Sequence, residues 1–496
     1  MPTPAPAEAG PPVRVGVRLT RCWATVLLGL IVSLVAPAEA RAHGALKTSV
    51  PKAGASLDTV PTELRLLFNE RVELRLAKVV LLGPDGASVP IPPLRFGDAS
   101  KELLVTGPVS KLAAGRYEVR WQVAGADGHP TRGSFTFAIR DGAVLVSGNG
   151  AMVRTAVDDK ASVTQVASPA STSATQSAPP ASERTNGFDE RSVAYVLVRW
   201  LQYVAILLMV GTLVFSRVVL LRAQEPGEPQ TVLVALARDR SLRVGTLASG
   251  ALLVVQVARF LAQRETLRGN GDFRMDVAAA DMLFGSAWGT GLLLVVLGSI
   301  ITLAVLRRMS AVEKGATPLL ILGLGLAAIG LGLSGHQVAS RIGAPLAVAI
   351  DAVHVLGTAG WLGTLAVLVM SVLPVVQSED ATYHAEVARI LRAFSPVALI
   401  SAAVAGASGL TLAAVNLGRV PALWESEYGR VLLIKLSVLT FVVATGAYNW
   451  RRVLPSLGTA QSTGALRRSA TAEVLVTIAV VAVTAVLVAT PNAAMP

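Results

Sequence analysis

The sequence predicts a multi-domain chain, with an all-β sandwich tethered to an all-α polytopic bundle of about eight transmembrane helices. Three observations carry this. Residues 43–140 alternate apolar and polar side chains with a period of two, residues 141–189 lose almost every large apolar side chain, and residues 190–490 hold about eight stretches long enough to span a bilayer. Composition agrees: 52% of the 496 residues are apolar and only 15% charged, with a mean hydropathy of +0.57, which is too apolar for a soluble protein.

Residues 1–42 read as a secretory signal. Arg14, Arg18 and Arg21 form a basic start, an apolar run follows from Trp23 to Ala36, and Ala40-Arg41-Ala42 is a small-x-small cleavage site. An uncleaved anchor would need a longer apolar span. Cleavage after Ala42 makes His43 the first residue and offers a metal both an α-amine and an imidazole.

Strand alternation is clean in Leu64-Arg65-Leu66-Leu67-Phe68, in Tyr117 to Val123 and in Phe135 to Ile139. Gly83-Pro84-Asp85-Gly86 and Ala113-Ala114-Gly115 supply turns between such runs. The segment at 141–189, exemplified by Ser168-Pro169-Ala170-Ser171-Thr172-Ser173, cannot bury enough apolar surface to fold and reads as a flexible tether.

The eight apolar stretches centre near residues 206, 253, 294, 326, 360, 405, 440 and 481. Basic residues concentrate after the first, third, fifth and seventh, at Arg222, Arg238, Arg240 and Arg243; Arg307, Arg308 and Lys314; Arg389 and Arg392; and Arg451, Arg452, Arg467 and Arg468. By the positive-inside rule the β-module and the C-terminus face outward, as the signal also requires. In a bacterium this is the inner membrane, with both on the periplasmic side. The formal charge is +12, and losing four Arg and two Glu with residues 1–42 leaves about +10. That excess reports topology, and nucleic acid is a poor partner.

Cys22, in the signal, is the only cysteine, so metal chemistry in the mature chain falls to His, Met and carboxylates. Asp127 and His129 are two apart, so in extended chain they point the same way, and Pro130 biases His129 toward that conformation. With His43 they offer two imidazoles, one amine and one carboxylate, a nitrogen-rich tetragonal set that suits Cu(II). The plain alternative is that Asp127-Gly128 only shapes a turn.

The segments His43-Gly44-Ala45-Leu46, Ser49-Val50-Pro51-Lys52-Ala53-Gly54, Leu67-Phe68-Asn69-Glu70 and Tyr117 to Trp121, continuing through Ala126-Asp127-Gly128-His129-Pro130 to Phe135, together resemble the periplasmic copper-binding protein CopC. The resemblance implies a cupredoxin-like sandwich that binds Cu(II) through His43, Asp127 and His129, with Glu70 as a weaker or outer ligand. Otherwise Glu70 is an ordinary solvated carboxylate. No methionine lies between Met1 and Met152, so the Met-rich Cu(I) segment of some family members is absent.

In the membrane half, His336 falls at the outer end of the fourth span and His354 about a third of the way into the fifth. Asp351 lies three residues before His354 on the same helix face, along with Thr358 and Trp361. Ionisable groups at such depth mark a pathway or a bound cation, or else Asp351 and His354 satisfy each other or neighbouring backbone. His384, beside Glu386 in a cytoplasmic loop, reads as solvated. Ser334-Gly335-His336, Asp351 to His354 with Gly360-Trp361-Leu362-Gly363, Arg392 to Pro396, Tyr428-Gly429-Arg430 with Lys435, and Asn449-Trp450-Arg451-Arg452 look like the inner-membrane copper resistance protein CopD. The whole chain then resembles CopC–CopD fusions, regarded as moving copper across or into the membrane. Arg199 and Arg259, in apolar surroundings, read as snorkelling residues.

The implied function is copper handling with no enzymatic step: capture of Cu(II) outside and transfer to His336, His354 and Asp351, for import or for resistance. Partners are copper ions, the lipid bilayer and periplasmic copper-binding proteins. No phosphate-binding loop appears, so transport does not draw on ATP hydrolysis by this chain. Two alternatives differ in kind. In one, His336 and His354 hold a haem and the bundle is an electron-transfer protein or cupric reductase, which would colour the purified protein. In the other, His43 forms part of a monooxygenase-like copper site, although Asp127 would then occupy coordination space that oxygen needs.

Overall fold

A computed structural model describes residues 46–107, 112–126, 128, 130–145, 192–224, 227, 229–268, 278–308, 316–340, 342–372, 374, 381–448, 451 and 460–490. The signal, His43, Asp127, His129 and most of the tether expected at 141–189 lie outside the described residues.

Nine described strands build the module: β1 (Leu46–Val50), β2 (Ser56–Val60), β3 (Leu64–Phe68), β4 (Lys78–Leu82), β5 (Ser88–Val89), β6 (Arg95–Phe96), β7 (Leu103–Thr106), β8 (Gly115–Ala124) and β9 (Pro130–Leu145). They form two sheets, ordered β1-β3-β7-β6 and β2-β9-β8-β4-β5. The alternation expected from the sequence supplies the core. Leu64, Leu66 and Phe68 of β3 point inward against Val119, Trp121 and Val123 of β8 and Phe135 and Phe137 of β9. Phe68 meets Trp121 edge-on at 5.2 Å, and Tyr117 stacks on Phe137 at 5.4 Å. β2 runs parallel to β9, whereas the other described pairings are antiparallel. β9 continues to Leu145, five residues past the expected end of the module at 140.

Eight helices are long and apolar enough to cross a membrane, as the sequence predicts. They are α1 (Val193–Ala223), α2 (Val232–Arg268), α3 (Ala287–Arg308), α4 (Ala316–Leu333), α5 (Ala344–Val372), α6 (Ala381–Leu417), α7 (Glu427–Tyr448) and α8 (Ala460–Ala489). At 1.5 Å per residue, the 37 residues of α2 reach about 55 Å, well beyond a hydrocarbon core of about 30 Å. Its ends therefore project, and Arg238, Arg240 and Arg243 sit on helix where the sequence suggested a loop. Leu247, Val254, Leu399, Ile400 and Leu410 are exposed and form part of an apolar belt suited to lipid.

Close helix packing rests on glycine. Gly211 of α1 lies against Gly363 of α5 so tightly that a Cβ on either would overlap backbone of the other helix. Both contact regions carry a π-helical turn, at Phe215–Val219 and at Ala359–Gly363. The start of α1 meets the end of α4 where Arg199 donates to the Ser334 carbonyl, and the end of α6 meets the start of α7 where Asn416 donates to Tyr428. One face of the bundle thus collects these ends, and the β-module sits on it.

Candidate functional site

One end of the sandwich collects the start of β1, Glu70 and the turn at Gly128. Leu46 of β1 pairs with Phe68 of β3, so β1 begins at the end of the sandwich where Asn69 and Glu70 follow β3. Glu70 is half-buried there. Val72 bridges to Gly125 and the Glu73 N–H donates to the Ala124 carbonyl at 2.8 Å, which sets this segment beside the turn ending β8. That turn closes with the Gly128 N–H on the Gly125 carbonyl at 2.9 Å. Gly128 has a φ of +86°, so at this residue the chain is left-handed and not extended, a conformation that glycine adopts without strain.

The turn rests on the bundle. Gln263 Nε2 of α2 donates to the Gly128 carbonyl, and a Cβ on Gly128 would lie 2.8 Å from Cγ of Trp288 on α3. Gln122 Nε2 donates to the Leu267 carbonyl at 2.8 Å and Arg132 to the Thr266 carbonyl at 2.6 Å. Arg75 pairs with Asp281 at 2.9 Å. Leu76 and Ala124 of the module share an apolar cluster with Leu267, Met282, Trp288 and Leu292 of the bundle. Burial in this interface raises the Glu73 carboxyl above its ordinary value, partly opposed by a hydrogen bond from the Ala287 N–H and by Arg71 and Lys101.

Beneath the turn lies a buried polar chain. The Arg259 guanidinium sits 5.6 Å from the centre of the Trp288 ring and donates to Gln256 Oε1 at 3.1 Å. Arg199 donates to Tyr195 Oη at 2.9 Å and to the Ser334 carbonyl at 3.3 Å. At 2% and 5% exposure, Arg199 and Arg259 do not snorkel, because tyrosine, glutamine and backbone acceptors satisfy them inside the bundle. His336, two residues past Ser334, is buried in a short 3-10 turn, His336–Ala339.

Asp351 and His354 share α5 and both lie within Coulombic reach of Lys435, but they pack against different helices. His354 Nδ1 donates to the Ala405 carbonyl of α6 at 2.9 Å, with Ser408 Oγ at 3.4 Å. Because a carbonyl can only accept, Nδ1 carries the proton, and in the neutral ring the lone pair is on Nε2. Asp351 Oδ2 lies 3.4 Å from where a Cβ on Gly332 would stand, within Coulombic reach of Lys435 and Arg199. Among the described residues no three of His, Cys, Asp and Glu come together as a metal site, so His336, Asp351 and His354 do not form one cluster. His384 is on α6, and its side chain lies outside the described residues. Sequence reasoning missed Gln263, Trp288, Gln122, Arg132 and Glu73; the available signal was a glutamine one turn past a buried arginine on an apolar helix.

Three family models match in chain order: CopC domain over residues 46–140, Copper resistance protein D-like, N-terminal domain over 189–343, and Copper resistance protein D over 388–487. Protein YobA of Escherichia coli strain K12 is 31% identical over 111 residues, covering 22% of this chain and 89% of its own. Copper transport protein CutJ of Bacillus subtilis strain 168 is 23% identical over 481 residues, covering 96% of this chain and 78% of its own. The crystal structure of CopC from Methylosinus trichosporium OB3b matches at 22% identity and a TM-score of 0.19, covering 22% of this chain and all of that one. The eight apolar helices and the family models define a multi-pass membrane protein of the copper resistance and transport class. The chain belongs to the CopC–CopD fusions, with a CopC domain at its N-terminal side and the two CopD parts behind it.

Proposed function

We propose that this protein binds Cu(II) through His43, Asp127 and His129 of the module, with Glu70 as a weaker or outer ligand, and passes copper to the bundle for import. The observation that carries this reading is the seat itself: the end of the module that collects Glu70, the start of β1 and the Gly128 turn rests on the face of the bundle that holds His336. His336, Asp351 and His354 are the groups of the bundle assigned to accept copper in this reading. The module and the C-terminus face the periplasm in this reading, as the basic residues at the opposite helix ends require. The domain division that goes with it is signal 1–42, module 43–140, connector 141–189 and membrane domain 190–490. Copper is cargo, and no bond in a substrate is made or broken.

The test is total cellular copper by mass spectrometry, with and without the chain and with His43→Ala and His354→Ala. Import predicts a rise on expression that both substitutions abolish. A fall, or unchanged copper with better survival in excess copper, would replace import by efflux or sequestration.

A further inference from the structure

The contacts between module and bundle complement the ends of two membrane helices. A helix leaves its last carbonyls without intrahelical donors, and at the end of α2 two of these, of Thr266 and Leu267, receive Arg132 and Gln122. At the start of α3 the Ala287 N–H meets the Glu73 carboxyl. The Arg132 cation matches the sign of the dipole at the helix C-terminus, and the Glu73 carboxyl accepts from an N–H at the helix N-terminus that has no intrahelical acceptor. Gln122 is fully buried and also accepts from Arg132 Nε at 2.6 Å, so the two module groups brace each other. Between these helix ends, Gln263 donates to the carbonyl of Gly128 while Trp288 closes over its Cα. The residue so gripped lies between Asp127 and His129.

We propose that Gln263 and Trp288 are positioning residues that seat Gly128 and the turn closed by Gly125 and Gly128 on the bundle, so that metal bound beside Gly128 exchanges with the membrane domain and not with solvent. The inference rests on the copper-binding reading above, yet the seat has a readout of its own. Gln263 spends its amide donor on a backbone carbonyl of another domain, and Trp288 leaves no room there for any side chain larger than hydrogen. Trp288 is itself backed by Arg259, whose guanidinium lies 5.6 Å from the ring centre.

The experiment uses the full chain in liposomes, in a Cys22→Ser background, with Cu(II) as the probe. Electron paramagnetic resonance at one equivalent of Cu(II) reports binding. Stripping of that signal by external EDTA reports shielding. Cross-linking by a bismaleimide between Arg75→Cys and Asp281→Cys reports docking. Gln263→Glu, which removes the donor, and Trp288→Ala should keep the resonance parameters while EDTA stripping quickens about tenfold and cross-linking falls. Stripping rates and cross-linking equal to those of the unsubstituted chain would overturn the proposal. If the unsubstituted chain shows no Cu(II) signal, the copper-binding reading fails instead. Cross-linking then decides the seat, with yields that do not fall in the variants counting against it.

Discussion

Gly128 carries two constraints at once, a φ of +86° and contact with Trp288, and they separate experimentally. Gly128→Ala should cost the isolated module about 1–2 kcal/mol through backbone strain, seen as a lower midpoint in thermal unfolding. In the full chain it should also lift the turn off Trp288 and reproduce the fast EDTA stripping of Trp288→Ala. Glu73 makes a different prediction, because burial in the seat raises its pKa. Docking takes up a proton, so it is at full strength below the ordinary carboxyl pKa, where Glu73 is protonated in either state, and weakens as pH rises through the raised value. Spin labels placed on the module and on α3 should report a broader distance distribution at neutral than at acidic pH. Glu73→Gln should remove that dependence and hold the narrow distribution throughout. A distribution that broadens equally with pH in the substituted chain would exclude Glu73 as its source.

At the level of elements, the β3, β8 and β9 strands and the eight spans were legible in the sequence because each announces itself locally, through a period of two or through sustained apolarity. The parallel β2–β9 pairing was not, since it depends on a partner some eighty residues away and leaves no local periodicity. Nor was the seat: Gln263 and Trp288 acquire meaning only when a second domain arrives above them, and Arg259 reads as a snorkelling residue until its acceptor Gln256 and the Trp288 face are in place. Glycine gives the clearest contrast within the bundle. Gly211→Ala and Gly363→Ala push a methyl into backbone of the neighbouring helix and should each lower thermal stability in detergent by about 1–3 kcal/mol. Gly250→Ala and Gly325→Ala meet nothing within 4 Å and should be neutral or stabilising by up to about 1 kcal/mol, since alanine is the better helix former. Equal losses at all four positions would mean that helix contact does not set the stability of the bundle.

For the whole molecule, the question is whether module and bundle are one cooperative unit or two folded bodies held by a seat. The core of the sandwich is self-contained: Leu64, Leu66, Phe68, Leu81, Leu104, Val119 and Val123 are fully buried and pack with other module residues. Leu76 is different. It is 2% exposed, in the 3-10 turn Leu74–Leu76, and its apolar cluster is completed by Leu267, Met282, Trp288 and Leu292 of the bundle. Two bodies joined by a seat therefore respond in opposite ways to Leu76→Asp. In the isolated module, residues 43–145, the new carboxylate meets water and should change unfolding free energy by no more than about 0.5 kcal/mol. In the full chain the same carboxylate would be buried without a partner against Trp288 and Leu292, a cost of several kcal/mol that the module avoids by leaving its seat. Cross-linking between module and bundle should collapse while the module keeps its fold and its Cu(II) signal. Loss of the module's own fold on this substitution would instead make the bundle part of its folding unit, and a seat between two independent bodies would no longer describe the protein.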